Sequence, residues 1–197
     1  MEDVYFTIDQ SYQGLFKDRG SKFISYLFPV ENEDMIKQHL LKLKKENPGA
    51  VHFCYAFVLG KDYSKTRAND DGEPSGTAGK PILMQLQAKQ LTNVLLVVVR
   101  YFGGTLLGTG GLINAYRNSA ADALTQCSII TKQITELIKI SFSPDATGIA
   151  HLFINKFNGK LIDTSYSNDA VCLVEFNKSK IDLIKENISN YPQLKID

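Results

Sequence analysis

Residues 4–30 hold two apolar-rich runs separated by Lys17-Asp18-Arg19-Gly20, a pattern that predicts extended structure and a hairpin. A helix is predicted next. Asn32 stands at its cap, Glu33 and Asp34 follow, and Ile36, Leu40 and Leu43 recur at helical spacing. Lys42, Lys44 and Lys45 suit its negative end, and Asn47-Pro48-Gly49 stops it. Val51–Leu59 alternates with apolar residues on both faces, as expected of a central strand. A loop is predicted from Gly60 to Thr77, then a short helix through Ile82, Leu83 and Leu86 with Pro81 in its first turn.

Leu91–Arg100 is an aliphatic run predicting a strand buried on both faces. It leads through Tyr101-Phe102 into the glycine-rich stretch 103–111 and a helix to about Gln126. Leu112, Tyr116, Ala120 and Ala123 are expected to line that helix's buried side, with Ala115 and Ala121 permitting close packing. The pattern changes after Cys127. A strand through Ile138, Ile140 and Phe142 precedes a helix opened by Ser143-Pro144-Asp145. Strands over Leu161–Tyr166 and Val171–Phe176 flank a turn at Ser167-Asn168-Asp169. A helix with Ile181, Ile184 and Ile188 and a last strand at Gln193–Ile196 complete the order β-α-β-β-α-β, the split ferredoxin-like arrangement. The fold class expected is therefore α+β in two domains, 1–130 and 131–197, joined near residues 127–132.

Composition narrows the classes. The chain has 197 residues, 22 Lys+Arg against 21 Asp+Glu and a formal charge of +1, so bulk charge does not mark a strongly basic nucleic-acid protein. Distribution changes that picture. Residues 61–120 hold seven basic and four acidic groups, a balance of +3, while the flanking segments are each −1; eight of the 14 glycines also lie there, with Gly60 just before. The acidic opening lacks a secretory pattern, and the longest aliphatic stretch, Val94–Val99, is far too short to span a membrane. Cys54, Cys127 and Cys172 are odd in number and widely spaced, which argues against a disulfide framework or a structural zinc site and fits a reducing cytoplasm.

Two glycine-rich segments carry candidate chemistry. In Asp70-Asp71-Gly72-Glu73-Pro74-Ser75-Gly76-Thr77-Ala78-Gly79-Lys80-Pro81, Pro74 and Pro81 stand where a P-loop needs glycine and a hydroxyl, so that motif fails. Asp70, Asp71 and Glu73 are the weak candidates for a metal; the simpler reading is a solvated loop that complements a helix dipole. Ser75 and Thr77 lack a base partner and suit capping. In the second segment Thr109-Gly110 replaces the P-loop lysine and hydroxyl, and Ile113 stands where a dinucleotide fingerprint needs its third glycine. What survives is a glycine-rich turn between a buried strand and a helix start, flanked by Arg100 and Arg117. It suits either a phosphate or a tight turn requiring positive φ. His52 and Cys54 share a strand face without a third ligand or an oriented base, and His39 and His151 read as surface residues.

These residues together resemble the YigZ/IMPACT family. The resemblance rests on Asp71–Gly79 with Pro81, on Val99-Arg100-Tyr101-Phe102-Gly103-Gly104 with Leu106-Leu107-Gly108 and Gly110-Gly111-Leu112, on Gly20-Ser21-Lys22-Phe23, and on His52, Cys54 and Ala56. It spans roughly residues 1–127, and the later part resembles the second domain of the bacterial two-domain type. It implies an amino-terminal domain folded like the second domain of a small-subunit ribosomal protein and the fourth domain of elongation factor G. The carboxyl-terminal domain would be ferredoxin-like, similar to that factor's last domain. Eukaryotic members regulate translation by binding an activator of a stress-responsive initiation-factor kinase; they carry a different additional domain not expected here, so that partner is not carried over.

Two functions are in view. One is a non-enzymatic translation-associated protein, without a cofactor, that binds RNA, the ribosome or a translation-associated protein. Arg67, Lys80, Arg100 and Arg117 would contact phosphates, Tyr101 or Phe102 would stack on a base, and Ser75, Gly76, Thr77, Gly79, Gly103, Gly104, Gly108, Gly110 and Gly111 would line the site. The alternative is a nucleotide- or phosphate-ligand enzyme, kinase-like by fold analogy, with Mg²⁺ on the acidic loop.

Overall fold

The computed structural model describes residues 3–167 and 169–196, so the predicted turn at Ser167-Asn168-Asp169 falls partly outside them at Asn168. The chain divides into two compact units, Tyr5–Lys132 and Gln133 onward, the latter taking in the residues up to Val4. Both mix strands and helices, as the α+β reading expects. None of the described helices is long and apolar enough to cross a membrane.

The first unit runs β1 (Val4–Ile8), β2 (Tyr12–Asp18), β3 (Ser21–Pro29), α1 (Glu33–Glu46), β4 (His52–Leu59), β5 (Lys65–Asn69), α2 (Gly79–Ala88), β6 (Val94–Tyr101), α3 (Gly108–Gln126) and β7 (Ile129–Gln133). Five strands form one antiparallel sheet in the order β2-β3-β6-β4-β5, and β1 pairs separately with β7. The β2–β3 turn is tight: Asp18 pairs with Ser21, and Arg19 and Gly20 both take positive φ (43° and 81°), the type I′ geometry that matches strand twist. Asn32 caps α1 by accepting from Met35 N at 3.0 Å, and Asn47 N–H closes it on Leu43 O.

β6 lies at the sheet centre with Val94 to Val99 fully buried. Alternate residues serve two cores. Leu96 and Val98 join Cys54, Ala56 and Phe23 beneath α2 and α3, while Leu95, Val97 and Val99 join Phe53, Phe57 and the α1 residues Ile36 and Leu43. α3 packs hard on the β2–β3 ladder, where a β-carbon on Gly14 would overlap the Ala123 nitrogen. Ser25 Oγ donates to Ser119 O at 2.6 Å, and Ser119 Oγ donates to Phe23 O at 3.1 Å.

Two strands depart from expectation. β5 lies inside the predicted 60–77 loop; Lys-Thr-Arg-Ala-Asn is exposed and polar, so it has no alternating apolar signal and forms a charged sheet edge. β7 occupies the predicted junction at 127–132.

The second unit runs β8 (Thr135–Phe142), α4 (Thr147–Lys156), β9 (Lys160–Tyr166), β10 (Ala170–Asn177), α5 (Ile181–Asn187) and β11 (Leu194–Ile196). Its sheet order β11-β8-β10-β9 is antiparallel throughout and carries the β-α-β-β-α-β connectivity. Ile138, Ile140 and Phe142 pack with Val174, Phe176 and the α4 ring Phe153, whose centroid lies 5.0 Å from Phe157. Ile188 falls just past α5, in a 3₁₀ turn.

Candidate functional site

The acidic loop before α2 folds onto its own carboxylates. Asp70 Oδ1 accepts from Ala78 N and Gly79 N at 3.0 and 2.8 Å, and its Oδ2 accepts from Gly76 N at 2.9 Å. Burial alone would push the Asp70 carboxyl up. The three amide hydrogen bonds outweigh it and hold the carboxyl below its ordinary 3.8. The start of α2 therefore already holds an anion, supplied by the chain itself. As pH falls, the unfolded chain takes up a proton before the folded one; this stabilisation is complete above pH 3.8 and disappears as pH drops through the lower folded value. Asp70→Asn is expected to cost about 1–2 kcal/mol at neutral pH and to flatten the acid limb of a pH–stability profile measured by urea unfolding.

The other two acids have separate tasks. Asp71 Oδ2 accepts from Phe53 N at 2.7 Å, and Glu73 is buried, its Oε1 accepting from Arg100 Nη1 at 2.5 Å and from the Tyr116 hydroxyl at 2.7 Å. Asp70, Asp71 and Glu73 thus turn to different partners. Among the described residues no three His, Cys, Asp or Glu side chains gather as a metal set.

Around Glu73 the β4–β6 register builds a polar cluster. His52 pairs with Arg100 across the ladder, so both side chains stand on the face covered by α2 and α3. His52 Nδ1 lies 2.8 Å from Asp71 O; a carbonyl only accepts, so Nδ1 carries the hydrogen. Nε2 is left 3.9 Å from Glu73 Oε1. Cys54 Sγ sits 3.0 Å from Asp70 O and 3.3 Å from the Tyr116 hydroxyl. Burial pushes the Cys54 thiol far above its ordinary value, so it is an inert thiol rather than a nucleophile. Burial raises Tyr116 likewise, keeping it a neutral donor to Glu73. Arg100 is 5% exposed and lies 5.5 Å from the Phe23 ring centroid and 5.6 Å from that of Phe102; its Nε has no hydrogen-bond partner.

His52, Glu73 and Arg100 of this cluster form the floor of a cavity of about 440 Å³. The first turn of α3, with Gly108 and Thr109, makes one wall. Val51, Phe102 and Leu106 make an apolar rim, 53%, 49% and 82% exposed. No side chain caps α3, and no acid stands in its first turn. The glycines here divide by physical reason. Gly103 abuts the backbone of Gly20 and Ser21, Gly111 lies against the Leu107 side chain, and Gly104 and Gly108 take positive φ (84° and 69°). Gly110 has neither reason: it sits in a helix turn, and an added β-carbon would meet nothing within 4 Å. Gly110→Ala is expected to raise stability by about 0.5–1 kcal/mol, read as a higher midpoint in urea.

The structure does not gather every sequence-derived candidate onto one surface. Arg67 pairs with Phe57 and so projects on the α1 side, opposite Arg100. Tyr101 is half-buried on that same side, its hydroxyl donating to Asn47 Oδ1 at 2.7 Å, which leaves Phe102 as the exposed ring. Arg100 is a buried, ion-paired group rather than a free surface cation. Gly79 abuts the Asn69 backbone, Gly76 and Gly79 direct their amides to Asp70, and the Thr77 hydroxyl donates to Pro74 O at 2.6 Å. Ser75, Lys80 and Arg117 are exposed. Reading the sequence missed the cavity-lining Val51, Leu106 and Thr109 and the Tyr116–Glu73 bond. An apolar Leu106 amid glycines was the available signal for the rim.

The Impact N-terminal domain family matches residues 19–124. IMPACT family member YvyE of Bacillus subtilis is 38% identical over 137 residues, 70% of this chain and 63% of that protein, so the match spans somewhat less than two thirds of that relative. IMPACT family member YigZ of Escherichia coli is 36% identical over 168 residues, covering 83% and 81%. Among solved structures, the crystal structure of a hypothetical protein superposes with a TM-score of 0.75 at 28% identity, over 100% of this chain and 97% of that one.

Proposed function

The chain belongs to the IMPACT family, and from that premise we propose that it is a non-enzymatic, translation-associated regulatory protein whose amino-terminal unit binds RNA or the ribosome. The observation that carries this reading is the uncapped start of α3. Its amides have no side-chain cap, Gly110 lets a ligand approach the backbone closely, and the Arg100 cation lines the same cavity. A phosphate oxygen satisfies such amides and is favoured by the helix dipole. Lys80 and Arg117, both exposed on the helices that cover this face of the sheet, supply longer-range attraction.

The reading is tested by RNA binding and ribosome co-sedimentation at two salt concentrations. Affinity is expected to fall steeply with salt, and Arg117→Ala to reduce the log–log salt slope by about 1. Salt-independent binding, or none, overturns it.

A further inference from the structure

We propose that the cavity beside α3 admits one unpaired nucleotide, its phosphate on the first-turn amides and its base against Phe102, Leu106 and Val51. This rests on the RNA reading above and specifies which RNA the site takes. Phosphate recognition alone needs amides and cations, and a wet polar surface would serve it. Here the amides open instead beside an apolar rim, and Leu106 at 82% is the most exposed large hydrophobic among the described residues. Exposed apolar groups gathered at a cavity mouth mark a site that covers them with a ligand.

The space suits one nucleotide and not a duplex. About 440 Å³ lies within the range of small-ligand cavities, and in a duplex the base faces are stacked away from any protein side chain. The floor is polar, lined by His52, Glu73 and Arg100. The Arg100 guanidinium lines this floor and spends Nη1 on Glu73. His52, with its Nδ1 hydrogen on the Asp71 carbonyl, turns Nε2 toward Glu73 on the same floor. Phe102, its ring centroid 5.6 Å from the Arg100 guanidinium carbon and half exposed, is an aromatic face of the kind on which bases stack.

The test uses the full chain and a labelled single-stranded RNA of roughly ten nucleotides. The same strand is also measured annealed to its complement, and again with abasic residues in place of nucleotides. Fluorescence anisotropy at fixed salt is expected to show the intact single strand binding about tenfold more tightly than the other two. Phe102→Ala and Leu106→Asp each lose about that factor on the single strand and nothing on the duplex. Both side chains are exposed, so thermal melts of the variants should match the parent. Equal binding of all three RNAs, or variants without effect, overturns the cavity assignment while leaving phosphate-led RNA binding in place. If no RNA binds, the RNA reading falls together with the assignment.

Discussion

Glu73→Ala is expected to destabilise the amino-terminal unit by about 3–5 kcal/mol, the usual cost of removing one partner from a buried ion pair. Glu73 and Arg100 side chains are 3% and 6% exposed, and the carboxylate also takes the Tyr116 hydroxyl. Truncation leaves a buried guanidinium whose Nε already lacks a partner among the described residues, and it takes the acceptor from the buried Tyr116 hydroxyl. The alternatives separate cleanly. Replacing the pair together, as Glu73→Leu with Arg100→Met, is expected to recover most of the loss, because two desolvated charges then disappear at once. Urea unfolding of the single and double variants measures this; a single-variant loss under about 1 kcal/mol would mean the pair behaves like a surface salt bridge.

Gly103→Ala is expected to cost about 3 kcal/mol, at the upper end of overpacking penalties. An added β-carbon would overlap the Gly20 carbonyl and the Ser21 nitrogen, and those atoms belong to the type I′ turn. Backbone cannot swing aside as a side-chain tip does. Ser21 Oγ also accepts from Gly103 N at 3.1 Å, so displacing the loop breaks that bond as well. Against this, Gly110→Ala should be stabilising. Two glycines seven residues apart thus respond with opposite signs. A midpoint shift of the same sign for both would contradict the packing described.

Much of the fold was legible because local chemistry and burial agree there. The six-residue aliphatic run marks β6, Asn32 and Asn47 bracket α1, and Arg19-Gly20 turns the hairpin. β5 was hidden because an edge strand built from Lys65, Thr66, Arg67, Ala68 and Asn69 buries no face. The candidate site was located by segment but not by surface. A charge count along residues 61–120 cannot see that Arg100 meets Glu73, 27 positions away, or that Lys65 meets Glu33. Nor can it see faces: the ladder sends Arg67 and Tyr101 to the α1 side and Arg100 to the other. Only pairing across the sheet decides which basic and aromatic residues share a surface.

The pairing of β1 with β7 also sets an order of events during synthesis. Val4–Ile8 leaves the ribosome before the other strands of its unit, yet its strand partner Ile129–Gln133 is made more than a hundred residues later. The central sheet can close once β6 has emerged, and Phe6 O can by then accept from Thr92 N, but the edge of β1 that pairs with β7 stays open until the linker follows. A nascent chain stalled after α3 would therefore present an open strand edge to its surroundings. Closing the two-stranded β1–β7 sheet is the step that waits for residues 129–133.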